Sequence, residues 1–377
     1  MTERGRAEAV TVITEKERAE KVRKLIMING LFDPGRSIGR GRRVHFPVII
    51  PSGRGRDWIS SLLGPVDISS DTCLTPHRTT YGPPFERIRS RLGGSLSEEE
   101  LDHLPDRWER VGDCLILSTT AGGKEKEIAR VYMDVLGARY VLGREGGVRG
   151  ELREPSLRTL VAPPDGRYEV VHKEGPCKFC LDPRKVMLSS GNVDIRLSFP
   201  DMIRQGVSPP RLQDVEGHLP GSREVVLDMF AGIGYFTIPT ALLCNPARIL
   251  SVEKNPVSLG YLKENIELNG VGGVVEPIPG DNRKVTPKGI ADRVIMGYVG
   301  GTVEYLPTAL DGLVPQGGIL HLHDTVKIEE GPGGLFEKAR IRAGRSGFDV
   351  FLLKSRRVKS YAPRIDHLVL DILALPL

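Results

Sequence analysis

Residues 225–239 read VVLDMFAGIGYFTIP, and the fold turns on how this stretch is parsed. An apolar run ends in Asp228, the chain passes through Ala231-Gly232-Ile233-Gly234, and apolar helix-compatible residues follow. Strand, tight turn and helix start form the unit from which parallel α/β sheets are built. Glycines at the turn permit positive φ and let a ligand approach the backbone. Three cofactor classes use such a turn. A P-loop needs Gly-Lys-Ser/Thr, which is absent, and a dinucleotide fingerprint wants a third glycine where Thr237 stands. What remains is an S-adenosylmethionine site, with Asp228, Gly232 and Gly234 holding a cofactor that carries no phosphates.

The residues downstream agree. RILSVEK, ending in Glu253, is the next strand; a carboxylate there can accept hydrogen bonds from both ribose hydroxyls. Asn255 caps the following helix, Pro256 takes its first turn and Gly270 stops it. The third strand, GVVEPIPG, leads into Asp281-Asn282, placed to bind the adenine edge. DRVIMGYV and GGILHLHDTV supply two more strands, and 348–375 two apolar runs joined by a basic turn, an antiparallel hairpin at the sheet edge. The fourth strand ends in Gly297-Tyr298-Val299, without carboxylate, amide, Cys or His at the edge where open α/β sheets do chemistry.

Upstream, Thr14 and Glu17 predict a capping box before a helix, and RRVHFPVIIP a strand. A Pro- and Arg-rich loop is expected from Pro76 to Arg91, a capped helix at Ser97/Glu100, one strand over WERVGDCLILS, a helix over 125–140 and a hairpin over RYEVVHKEGPCKFCLD. Pro210 to Pro220 reads as an irregular link. With 377 residues, 40% hydrophobic and 27% charged, the chain can hold two or three domains. The expected division is 1–70, 71–184 and 185–377. No apolar run approaches the ~18–20 residues of a membrane helix, and MTERGRAEAV lacks the core of a secretory signal. A cytoplasmic protein is expected, with no membrane partner.

The five cysteines are too few and too scattered for a disulfide framework. Cys177 and Cys180 are read as reduced thiols beside a strand, a metal or redox role being the alternative; His321 and His323 alternate on one strand and are read as packing residues. No metal is expected. Six arginines between Arg36 and Arg56, with no Asp or Glu, mark either a polyphosphate-attracting stripe or a solvated basic face. HRTTYGPPFERIRSR and LKSRRVKSYAPR mix cations with aromatics as an RNA-tracking surface does.

SSGNVDIR, DMFAGIGYFTIP, GDNRKV, ADRVIMGYV, GGILHLHDTV and VKSYAPRIDHLVLD together resemble the tRNA wybutosine-synthesizing protein 2 family, whose relatives are tRNA (guanine-N1) methyltransferases acting at position 37. The resemblance runs from about Thr14 onward and is densest after Lys185. It implies a class I methyltransferase-like (Rossmann-like) doubly wound sheet with a C-terminal antiparallel hairpin, preceded by smaller α+β RNA-binding domains. It further implies tRNA as partner, S-adenosylmethionine as donor, and transfer of the 3-amino-3-carboxypropyl group to a carbon of a tricyclic guanosine derivative. Ser189 and Arg196 are then expected at the methionine end of the donor. Asp194 stands where the methyltransferases carry a Glu suspected as a base, and is either a catalytic carboxylate or a helix-initiating one. Tyr298 is either a stacking partner for the modified base or a buried lid residue. The methyltransferases carry Asn-Leu-Pro where this chain has Gly-Tyr-Val. Guanine-N1 methylation and a non-catalytic RNA-binding role are the two competing functions.

Overall fold

The computed structural model describes residues 8–33, 35–51, 53–71, 74–75, 83–118, 123–188, 193–204 and 223–377. The chain forms two compact units, Met1–Arg87 and Ile88–Leu377.

In the first unit, β1 (Glu8–Thr14), α1 (Ala19–Ile28), β2 (Gly39–Arg40), β3 (Val44–Ile50), α2 (Arg56–Leu63) and β4 (Asp67–Ser69) build an antiparallel sheet of order β2-β3-β1-β4. Its core joins Val10, Val12, Phe46 and Val48 of the sheet to Val22 and Ile26 of α1 and Ile59 and Leu63 of α2. The expected Thr14/Glu17 capping box does not form. Thr14 closes a strand, the α-helix starts at Ala19 without a side-chain cap, and the buried Thr14 hydroxyl has no partner. The β-branched run Val10–Thr14 is recruited by pairing with β3, which outweighs the local cap. The arginine stripe is also not a uniform surface. Arg36 is buried, donating to Asp33 (2.8 Å), Thr75 (3.1 Å) and the Val10 carbonyl (2.7 Å). Arg43 pairs with Glu15 and Asp67, and Arg56 with Glu8.

α3 (Pro84–Leu92) begins before the division at Ile88, and α4 (Glu98–Asp102) of the second unit is started by the expected Ser97/Glu100 capping box. α3 replaces part of the loop expected over 76–91, of which 76–82 lie outside the described residues. WERVGDCLILS is two strands, β5 (Trp108–Val111) and β6 (Cys114–Ser118), because Gly112 adopts φ +58° and reverses the chain. α5 (Glu125–Leu136) then returns the chain to β7 (Tyr140–Arg144), parallel to β6, and β8 (Leu157–Val161) completes a sheet of order β5-β6-β7-β8. β9 (Val170–Glu174) and β10 (Cys177–Leu181) form the expected hairpin. One hydrophobic cluster runs from Val111, Cys114 and Tyr140 through Phe179 into Val226, Ile233 and Leu262, so this segment shares a core with the C-terminal sheet.

After α6 (Val193–Arg204) come β11 (Val225–Asp228), α7 (Thr237–Leu243), β12 (Arg248–Glu253), α8 (Pro256–Leu268), β13 (Val275–Pro279), α9 (Asn282–Val285), β14 (Arg293–Met296), α10 (Leu306–Gly312), β15 (Gly318–Lys327), α11 (Gly331–Arg345), β16 (Phe348–Ala362) and β17 (Ile365–Pro376). The sheet order is β13-β12-β11-β14-β15-β17-β16, with β11 to β15 parallel and β17 and β16 antiparallel. This is the methyltransferase-like topology expected. Val226, Ile249 and Ile295 enter the cluster on one face, and Leu227, Leu250 and Val294 the cluster on the other. Both faces are therefore covered, as a parallel sheet requires. Strand order reverses between β11 and β14, which opens a crevice at their carboxyl ends. The Pro210–Pro220 link lies outside the described residues.

Candidate functional site

A cavity of about 740 Å³ occupies that crevice. Its floor is the turn after β11. Asp228 is fully buried and tied inward, accepting from the Phe230 N–H (3.2 Å) and the Thr237 hydroxyl (2.8 Å). Burial pushes its carboxyl up to about 6. It braces the turn from behind and is not part of the cavity lining. Gly232 lines the cavity at φ +58°; a Cβ there would sit 2.6 Å from the Tyr235 ring. Gly234, at φ +104°, serves packing, since a Cβ would lie 2.7 Å from Ile238.

Glu253 ends β12 facing the cavity. One oxygen accepts from Gly232 N–H at 2.7 Å and the other from Asn255 N–H at 2.6 Å. Each oxygen keeps a lone pair for a further donor, the arrangement two vicinal ribose hydroxyls need. Burial raises this carboxyl above the usual glutamate range. Asp281 caps α9 by accepting from Arg283 N–H (3.1 Å), and its pairing with the Arg283 guanidinium holds it far below the ordinary range. Asn282 donates to the Met229 carbonyl (3.1 Å), while its buried Oδ1 has no protein partner. An orphaned acceptor beside an acidic cap fits a ligand that brings its own N–H donors, as adenine does.

Over this floor lies the segment between β7 and β8. Glu151 reaches Lys254 (2.6 Å), the Leu152 carbonyl accepts from Asn255 (3.4 Å), and Arg153 donates to the Val299 carbonyl (3.2 Å). The Arg153 guanidinium sits 5.3 Å above the Tyr298 ring. Tyr298 in turn stacks on Phe230 (5.3 Å, 26°), with Tyr305 edge-on to Phe230 at 5.1 Å. The bare end of β14 has a steric cause: a Cβ on Gly297 would meet the Phe236 ring at 2.9 Å.

The cavity lining also includes Arg196, Lys359 and His367. Arg196 is buried and donates through Nε (2.8 Å) and Nη2 to both oxygens of Glu174. Ser189 lies outside the described residues, as does the side chain of Asp194 on α6. The remaining expected site residues, Gly232, Glu253, Asp281, Asn282, Arg196 and Tyr298, share this one cavity. Arg153, Phe230, Lys359 and His367 join them without having been anticipated there. Lys359 falls within LKSRRVKSYAPR, whose cations were expected on an RNA surface, and His367 lies just beyond it. Arg356 and Arg357 in that stretch are paired with Asp371 and Asp366.

The family model described as TYW2 N-terminal domain matches residues 88–163, and that described as TRM5/TYW2 methyltransferase domain matches 216–343. The tRNA(Phe) (4-demethylwyosine(37)-C(7)) aminocarboxypropyltransferase of Pyrococcus horikoshii is 36% identical over 288 residues, covering 76% of this chain and 95% of that protein. The chain belongs to the TYW2 family. Among solved structures, TYW2 of P. horikoshii in complex with MeSAdo superposes with a TM-score of 0.65 at 33% identity, covering 77% of this chain and 99% of that one. TYW2 of M. jannaschii in complex with AdoMet superposes at 0.56 and 31% identity, covering 72% and 100%. As a TYW2-family member the chain is an S-adenosylmethionine-dependent transferase with the Rossmann-like fold expected from its sequence. Among the described residues no helix is long and apolar enough to cross a membrane.

Proposed function

We infer that the protein transfers the 3-amino-3-carboxypropyl group of S-adenosylmethionine to C7 of 4-demethylwyosine at position 37 of tRNA(Phe), releasing methylthioadenosine. One observation carries the choice between carbons: a Cβ on Gly297 would meet the Phe236 ring at 2.9 Å, and the end of β14 carries no carboxylate, amide or imidazole. Guanine-N1 methylation needs a polar group there to orient or remove the ring proton. Alkylation of carbon needs chiefly two reactants held in line.

S-adenosylmethionine supplies a sulfonium whose propyl carbon is open to displacement. The C7–Cγ bond forms as the Cγ–S bond breaks, the electron pair stays on sulfur, and the C7 proton is lost. The protein's share is positional. Glu253 takes the ribose hydroxyls, Asp281 and Asn282 the adenine, and the Gly232 turn admits the donor to the backbone. Tyr298, backed by Phe230, stacks on the acceptor base. Ser189 and Arg196 stand at the methionine end, with Glu174 fixing the Arg196 guanidinium. Asp194 is the carboxylate offered for the departing proton. Residues 1–70 and 71–184 serve as RNA-binding segments ahead of the catalytic part 185–377, in a cytoplasmic protein whose macromolecular partner is tRNA and which uses no metal.

The sulfur by-product tests this reading. Incubation with S-adenosylmethionine and tRNA bearing the tricyclic precursor is expected to yield methylthioadenosine. Adenosylhomocysteine in its place would establish methyl transfer and refute the assignment.

A further inference from the structure

The chain between β14 and α10 makes a tight return: residues Gly297 to Gly301 leave the strand end, and a 3-10 turn over Thr302–Tyr305 leads into the helix. Gly300 and Gly301 both stand in the left-handed region, at φ +102° and +81°, and a Cβ on either would meet no atom within 4 Å. Backbone conformation, and not crowding, therefore calls for glycine at both positions. The return brings the Gly301 and Val303 N–H groups onto one side chain, that of Asp324 on β15. Its Oδ1 accepts from Gly301 at 2.8 Å and its Oδ2 from Val303 at 2.9 Å. Asp324 is only 2% exposed and is not part of the cavity lining.

A carboxylate here meets the first N–H groups of the 3-10 turn, which have no partner within the helix, and the positive end of its dipole. The same loop also reaches the cavity. Thr302, between the two residues that Asp324 holds, donates its hydroxyl to the Tyr298 carbonyl. Asp324, Thr302 and Tyr298 thus form one line of contacts from a buried strand to the cavity, where the Tyr298 ring lies 5.3 Å from Phe230.

We propose that Asp324 is a positioning residue for the acceptor base: by holding residues 301–303 on β15 it fixes the tilt of the Tyr298 ring. This rests on the reading that Tyr298 stacks on that base. Loss of the Oδ2 acceptor leaves the Val303 N–H buried without a partner, a cost that the backbone relieves by moving. Thr302 moves with it, and so does the Tyr298 carbonyl. Glu253 and Asp281 stand at the ends of β12 and β13, on the far side of β11 from this loop, so the donor's adenosine keeps its contacts.

Steady-state kinetics on tRNA bearing the tricyclic precursor compare the wild type, Asp324→Asn, Tyr298→Ala and the double variant. In Asp324→Asn one oxygen becomes an NH2 set against an N–H. Its kcat/KM for the tRNA is expected to fall at least about fivefold, part of what a stacked ring contributes. Methylthioadenosine affinity, read by calorimetry, is expected to stay within about twofold, as for sites without shared partners. A residue that acts through Tyr298 has nothing to act on once that ring is gone. In the Tyr298→Ala background, Asp324→Asn is therefore expected to change kcat/KM by less than about twofold. Gly301→Ala strains the same loop with the carboxylate in place and is expected to repeat the pattern in both backgrounds. If Asp324→Asn fails to bind methylthioadenosine, Gly301→Ala decides alone. Losses that multiply in the double variant overturn the proposal and leave Asp324 as a helix-holding residue; so does an Asp324→Asn protein as active as the wild type. A wild type inactive on this tRNA, or a Tyr298→Ala protein of unchanged activity, fails the reading beneath it, and the positioning role falls with it.

Discussion

Replacing Glu253 by glutamine exchanges one heavy atom of the carboxylate proposed to take the ribose. The carboxylate accepts one backbone N–H on each oxygen, at 2.7 and 2.6 Å, and keeps one lone pair per oxygen for the ligand. In Glu253→Gln one oxygen becomes an NH2 that must face Gly232 N–H or Asn255 N–H, donor against donor. One ribose hydroxyl also loses its charged acceptor. A hydrogen bond to a charged group contributes about 1.5–3 kcal/mol. Lost from the complex, it weakens binding between about 10- and 150-fold. The broken backbone bond lies in the protein alone and lowers the unfolding midpoint. Calorimetry with S-adenosylmethionine and with methylthioadenosine decides the matter, because the ribose is common to both and their affinities must fall together. A change under about threefold, or a loss confined to S-adenosylmethionine, would refute the ribose assignment. The same carboxylate, raised by burial, should also make ligand affinity decline at mildly acid pH, before an exposed glutamate titrates.

Asp228 has its carboxyl raised from 3.8 to about 6, so folding favours its protonated form. The stability this supplies is fully present below pH 3.8 and is lost as pH rises through about 6. Two units correspond to about 3 kcal/mol. In chemical unfolding at a series of pH values, Asp228→Asn should gain on the wild type by that order between pH 4 and 7; a constant gap would show that the site is not desolvated. Tyr298→Ala removes a base-stacking platform that contributes about 1–3 kcal/mol, so kcat/KM for the tRNA should fall about 5- to 150-fold while S-adenosylmethionine affinity stays within threefold. Equal activity would leave Tyr298 as a lid residue. Arg36→Ala leaves Asp33 without its buried partner, and breaking such a pair destabilises by about 3–5 kcal/mol. Urea unfolding followed by tryptophan fluorescence from Trp58 should shift accordingly, and an unshifted transition would return Arg36 to the surface.

The C-terminal sheet was legible because its strands are short apolar runs closed by Gly, Asp or Glu, and each signal is local. That Glu253, Asp281 and Asn282 would share one cavity was legible for the same reason, since they stand at strand ends. Long-range partners were not. Nothing near Arg36 in sequence announces Thr75 or the Val10 carbonyl, so a buried arginine read as one of a stripe. Thr14 and Glu17 satisfied a helix-start pattern while Val10–Thr14 satisfied a strand pattern, and only pairing with β3 decides between them. Lys359 reads like its neighbours Arg356 and Arg357, yet those meet Asp371 and Asp366 while Lys359 reaches the cavity. Twisting and register shifts in β16, between Leu352 and Lys354 and between Arg357 and Lys359, separate side chains that the linear sequence groups together.

The placing of β17 inside β16 constrains how the molecule is made. β17 follows β16 in sequence but sits between it and β15. During synthesis β15, whose residues from Gly318 to Asp324 are all buried in the finished protein, emerges with one edge unpaired. It stays so until residues 365–376 leave the ribosome, because β16 does not pair with β15. The β16–β17 hairpin must then dock as a unit, and His367 arrives with it. The part of the cavity wall made by Lys359 and His367 is therefore completed only when the hairpin docks, and a nascent chain stalled before residue 365 exposes an apolar strand edge to self-association.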